Sequence, residues 1–132
     1  MKIRRSVSLL GIAATALVGV SLAAGPASAS TGGGCGAAQG NVTACISASG
    51  SNVEPDLYIA GVPAGCNFVV FEAIDDSTGQ VVQTVNVPCS AGHHGPYPFV
   101  GVNGHYYKSW AQMSTKSGAL FPSTSPVLHL AY

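Results

Sequence analysis

Two of the four cysteines close the ends of a single stretch, CNFVVFEAIDDSTGQVVQTVNVPC, running from Cys66 to Cys89. Inside it, two apolar-rich segments flank Asp76-Ser77-Thr78-Gly79, which places Asp first and Gly fourth in a turn. With Ser77 and Thr78 as a two-residue loop, Phe68 faces Val87, Val70 faces Val85, Glu72 faces Gln83 and Ile74 faces Val81. The same register sets Cys66 opposite Cys89. A disulfide that pins the open end of a long hairpin is therefore expected. Because side chains alternate across a strand, this register gives one face that is apolar except at Glu72 and Gln83. Those two are expected to pair across the ladder, or to lie where the face meets water.

All four cysteines, Cys35, Cys45, Cys66 and Cys89, fall after residue 34. An even count in a short exported chain reads as two disulfides, for which three pairings exist. Given Cys66–Cys89, elimination leaves Cys35–Cys45. Zinc sites use close C-x-x-C pairs, whereas the spacings here are 10, 21 and 23 residues. No metal or other cofactor is expected. His93, His94, His105 and His129 read as loop and strand residues, with no acidic neighbour in sequence to complete a site.

The export reading comes from the first 29 residues. Lys2, Arg4 and Arg5 precede an uncharged, mainly apolar run from Val7 to Ala24, and Ala27-Ser28-Ala29 supplies small residues for cleavage before Ser30. That is the pattern of a secretory signal peptide. Gly11, Gly19 and Ser21 interrupt the run and no basic flank follows it, so no stable membrane anchor is expected after cleavage. Beyond residue 29 only Lys108 and Lys116 stand against Glu54, Asp56, Glu72, Asp75 and Asp76, a formal charge of −3. This balance argues against a nucleic-acid partner. The expected organisation is a signal peptide over 1–29, a Gly-rich lead-in over 30–41 and a single domain over 42–132.

Outside the signal segment no stretch holds a 3.6-residue period. Val42 to Ala48 alternates, with Val42, Ala44, Ile46 and Ala48 on one face. Ser49 to Pro55 reads as a loop, DLYIAGV as a strand, and the hairpin from Cys66 to Cys89 follows. SAGHHGPYP reads as a loop, PFVGV as a short edge strand, and Asn103-Gly104 as a turn before a strand from His105 to Ser114. TKSGALFPSTSP reads as a long loop and VLHLAY as a last strand. The fold class is all-β: a small antiparallel sandwich of about seven strands with two disulfides.

The tail VNGHYYKSWAQMSTKSGALFPSTSPVLHL resembles the last hairpin of fibronectin type III and immunoglobulin-like domains, in its turn glycine, strand tyrosine, alternating inward residues and Ser-Pro before the final strand. The resemblance covers about thirty residues, implies an Ig-like sandwich, and puts Tyr107 at the tyrosine-corner position.

No nucleophile-elbow, phosphate-loop or zinc-hydrolase motif is present, and only five carboxylates are available for acid–base work. The strand HYYKSWAQM carries the site. With Tyr107, Ser109, Ala111 and Met113 inward, Tyr106, Lys108 and Trp110 form an outward aromatic stripe of the kind found in binding surfaces. The reverse facing would bury Trp110 but also an unpaired Lys108, the costlier arrangement. The expected function is a secreted, non-enzymatic, Ig-like binding module for an extracellular protein, a glycan or a small apolar ligand. The alternative is a protease or glycosidase inhibitor that displays the TKSGALFPSTSPV loop.

Overall fold

Alternation of buried and solvent-facing residues, rather than any helical period, organises the chain, and the computed structural model describes it over residues 29–132. The signal peptide expected over residues 1–29 lies, apart from Ala29, outside the described residues. In chain order the strands are β1 (Thr31–Gly32), β2 (Gly34–Cys35), β3 (Val42–Ser49), β4 (Asn52–Ile59), β5 (Cys66–Asp75) and β6 (Gln80–Val87). They continue with β7 (Gly92–His94), β8 (Phe99–Val100), β9 (Tyr106–Thr115), β10 (Gly118–Ala119), β11 (Ser123–Thr124) and β12 (Leu128–His129). All pairings are antiparallel. One sheet runs β1-β12-β9-β5-β6, with β10 and β11 also on β9; the other runs β2-β3-β4-β7, with β8 also on β4. The all-β sandwich with two disulfides is thus present.

Among the described residues twelve strands replace the expected seven. The additional ones are two- and three-residue pieces inside segments whose composition reads as loop. The lead-in holds β1 and β2, SAGHHGPYP holds β7, and TKSGALFPSTSP holds β10 and β11. Such pieces are too short to show alternation, and only their neighbours make them strands. The segment Ser49 to Pro55 is also a correction, because β4 begins at Asn52. Gly50, at φ 58°, permits a two-residue turn that brings Ser49 opposite Asn52. Pro55 sits inside β4, and the gap between its two outer neighbours, β8 at Asn52–Val53 and β7 at Leu57–Ile59, centres on it. Proline has no N–H to give a ladder there.

The long hairpin departs from the expected register. Ile74 faces Val81 as anticipated, but Ala73 faces Gln83, Phe71 faces Val85 and Val69 faces Val87. Val82 is an extra residue, a β-bulge, and everything beyond it slips by one. The core face of β5 is accordingly Val69, Phe71 and Ala73, all buried, rather than Phe68, Val70 and Ile74. Glu72 faces Thr84, so it does not pair with Gln83, which lies on the other face. The turn is wider too: it spans Asp76 to Gly79, closed by the Gly79 N–H donating to the Asp75 carbonyl at 2.7 Å. Val87 still ends β6 before Pro88, and Cys66 is bridged to Cys89, with Cα atoms 6.2 Å apart. Cys35 is bridged to Cys45 on the paired strands β2 and β3, Cα atoms 4.0 Å apart. Two such bridges in a small domain belong to an oxidising environment.

Between the sheets, Val42, Ala44, Leu57 and Ile59 of one layer pack on Val69, Phe71, Ala111 and Met113 of the other. Tyr107 belongs to a second group with Ile46, Val53, Leu128 and Leu130. Its hydroxyl accepts the Val102 N–H at 2.8 Å, five residues upstream, which is the contact of a tyrosine corner. Two buried serines cross the sandwich. Ser109 Oγ donates to the Cys45 carbonyl at 2.7 Å, and Ser123 Oγ accepts the Ala44 N–H at 3.0 Å while donating to the Ala37 carbonyl.

Candidate functional site

Strand β9 is central in its sheet, with β5 on one side and β10, β11 and β12 on the other. Its odd residues from Tyr107 to Thr115 are buried, so its even residues point away from the core. Tyr106 is 48% exposed, and Lys108 and Trp110 are half-buried on that outer face. The three residues of the expected stripe are therefore brought to one surface.

The ladder decides what flanks them. Trp110 faces Glu72 on β5 and Thr124 on β11, forming a row across three strands. Lys108 faces Ile74, and its ammonium pairs with the Asp76 carboxylate at 2.5 Å. Tyr106 faces His129 on β12, and the two rings stack with centroids 4.7 Å apart. A tryptophan flanked by a glutamate on one strand and a threonine on the other is amphipathic: an indole for stacking, with hydrogen-bonding residues on the neighbouring strands.

This end of the stripe is clasped by the hairpin turn. Asp75 is buried, and its Oδ1 accepts the N–H groups of Ser77 and Thr78 at 3.0 and 3.3 Å. Its Oδ2 lies 2.8 Å from His105 Nδ1. The Tyr106 N–H donates to Ser77 Oγ at 2.9 Å, and the Asp76 N–H donates to the Tyr106 carbonyl at 2.8 Å. One buried carboxylate thus fixes both the turn and the start of β9, which sets the backbone beneath Tyr106 and Lys108.

At the other end of the stripe the chain leaves β10 and rejoins β9 at β11. Gln112 Nε2 donates to the Leu120 carbonyl at 2.8 Å, and Gln112, Ala119, Leu120, Phe121 and Pro122 line an open cleft of about 340 Å³. Phe121 is 79% exposed. Sequence reasoning missed His129, Glu72 and Phe121 as neighbours of the stripe. Alternation in VLHLAY, with Leu128 and Leu130 inward, already turns His129 outward. Glu72 becomes a neighbour through the β5–β9 pairing, whose register no local pattern announces, and Phe121 carried no signal.

On the outer face of the other sheet, Tyr58 stacks on His93 at 4.7 Å, and His93 Nε2 lies 2.6 Å from Asp56 Oδ2. Next to it, His94 Nε2 is 2.7 Å from the Ser90 carbonyl and 3.4 Å from its hydroxyl. A nucleophilic triad needs one imidazole between the hydroxyl and the carboxylate. Here Ser90 and Asp56 approach different histidines. Among the described residues no group of three His, Cys, Asp or Glu side chains converges as a metal site. No family model, no curated protein and no solved structure matches this chain.

Proposed function

We propose that the chain is exported and serves, without catalysing a reaction, as a binding module for an extracellular protein or glycan. Its contact surface is the outer face of the seven-stranded sheet around Tyr106, Lys108 and Trp110. The observation that carries this reading is the row Glu72–Trp110–Thr124, beside the stacked pair Tyr106–His129, on a rigid central strand. Amphipathic aromatics held on sheet strands lose little conformational freedom on binding, which favours recognition over turnover. The cleft beside Gln112 extends the same surface with apolar walls suited to a small apolar group. Support for export is the n-region, apolar run and Ala-Ser-Ala end of the first 29 residues, together with the two disulfides. The inhibitor alternative is less well supported. The segment it would display is tied to β9 by the Leu120 and Ser125 N–H groups, at 2.9 Å each, and by Gln112.

The test is binding of the mature protein, from Ser30 onward, to cell-wall polysaccharides and to a panel of secreted proteins. Trp110→Ala is expected to weaken the interaction at least about tenfold while costing well under the roughly 3–5 kcal/mol of a core aromatic truncation. Binding that is indifferent to Trp110 and Tyr106 overturns the site. Stoichiometric inhibition of a protease or glycosidase would replace the proposal with the inhibitor reading.

A further inference from the structure

Strand β6 is the longest free sheet edge among the described residues. It ends the seven-stranded sheet with β5 on one side only. No loop or side chain of the described residues hydrogen-bonds to the main chain of residues 81–87, and up to Asn86 the strand is exposed or half-buried, with only Val87 fully buried. Edges of this kind are usually blunted by lysine, proline or inward charge. QVVQTVNV has no Lys, Arg, Asp, Glu or Pro. Its one irregularity is the bulge at Val82, which turns the first part of the edge aside and leaves Gln83–Val87 regular. Among the described residues the one buried side-chain acceptor without a partner, Gln83 Oε1, lies on this same segment.

We propose that β6 pairs antiparallel with β6 of a second copy of the chain, across a two-fold axis at Val85, so that two seven-stranded sheets run on as one. Charge selects the place. Residues 30–132 carry a formal −3, so two copies repel over much of their surface, while eight uncharged residues let them meet at β6. Geometry selects the register. An axis at Val85 sets Thr84 opposite Asn86 of the other copy on the outer face, and Gln83 opposite Val87 on the inner face. Every pair then joins residues of one face, as a continuous sheet requires. An axis at Thr84 would run the pairing across the bulge. The association also closes on itself: each copy uses up the other's free edge, and β1 at the far side is two residues long. In the dimer the two Trp110 side chains lie five strand spacings apart, about 24 Å, on one surface. The pairing itself does not depend on the binding role of Trp110.

Sedimentation equilibrium of the mature protein over a concentration series tests this, with two double variants at the same exposed positions. Thr84→Lys with Asn86→Lys puts like charges opposite each other twice; Thr84→Lys with Asn86→Glu puts opposite charges there. The wild type is expected to show a concentration-dependent dimer, with amide exchange slowing as dimer forms at those residues of Gln83–Asn86 whose N–H points away from β5. The Lys/Lys variant should raise the dimer dissociation constant at least about tenfold, and the Lys/Glu variant should stay within about threefold of wild type or tighten. A wild type that remains monomeric throughout overturns the proposal. So do two variants that dimerise equally.

Discussion

Ser109 lies fully buried on a core-facing position of β9, between Tyr107 and Ala111, where a hydrophobic side chain would be the ordinary choice. Its hydroxyl donates to the Cys45 carbonyl of the opposite sheet, and its own N–H donates to Ser125 Oγ at 2.8 Å. A hydrogen bond across the sandwich fixes the lateral position of two layers that apolar packing alone would let slide. Ser109→Ala should therefore cost about 1–2 kcal/mol in urea unfolding, because a buried acceptor loses its donor. A cost near zero would mean that water replaces the hydroxyl. The facing of β9 was legible in the sequence, since an unpaired buried Lys108 is too expensive and alternation does the rest. The role of Ser109 was not. Its acceptor is 64 residues away in sequence and lies on the other sheet.

At the scale of the element, the hairpin β5–β6 shows how one residue redirects a face. Symmetric placement of valines around a turn matches the cysteines and the apolar residues at once, yet the structure follows that register only at Asp75–Gln80 and Ile74–Val81. A bulge leaves little trace in composition, because Val82 reads like any strand valine; what enforces it is the burial of Val69, Phe71 and Val87 against the second sheet. Pairing of the cysteines was legible all the same, because Cys89 lies beyond the end of β6, where two residues after Val87 can adapt. This argues a contrast between two deletions. Removing Val82 should leave Ala73 opposite Gln83 and change stability by no more than about 1 kcal/mol, since the ladder merely closes over the bulge. Removing Thr84 keeps the pairs at Gln83 and before but turns Val85 and Val87 toward solvent or shifts the register. It should cost several kcal/mol at about 1.5–3 per valine withdrawn from the core. Cross-strand NOEs between residues 73 and 83, with melting curves of both variants, decide it. Equal damage from the two deletions would show that Val82 is not a free insertion.

At the scale of the whole molecule, the two disulfides perform different tasks. Cys66–Cys89 closes a loop that contains the entire β5–β6 hairpin, and β5 also carries β9. Cys35–Cys45 secures the lead-in, which laces the sandwich at one edge: Thr31–Gly32 pairs with β12 in one sheet and Gly34–Cys35 with β3 in the other. The chain changes sheets at Gly33, whose φ of 75° and whose approach to the Ile46 carbonyl leave no room for a side chain. Composition alone makes this glycine-rich segment look irregular, and only the two sheets it joins give it strand character. Loop-entropy arithmetic assigns each bridge about 3 kcal/mol, so stability alone does not distinguish them. Their spatial reach does. Replacing Cys35 and Cys45 by serine should speed amide exchange at Gly33 and Gly36, which donate to the Val127 and Ala44 carbonyls, through local release of the lead-in. The β5–β9 amides should then change only as far as global stability falls. Replacing Cys66 and Cys89 by serine should instead accelerate exchange across β5, β6 and β9 together, by the factor set by about 3 kcal/mol, because the hairpin and the central strand open as one unit. If the first pair of substitutions exposed β5 and β9 as strongly as the lead-in, the N-terminal lacing would be part of the cooperative core rather than a latch upon it.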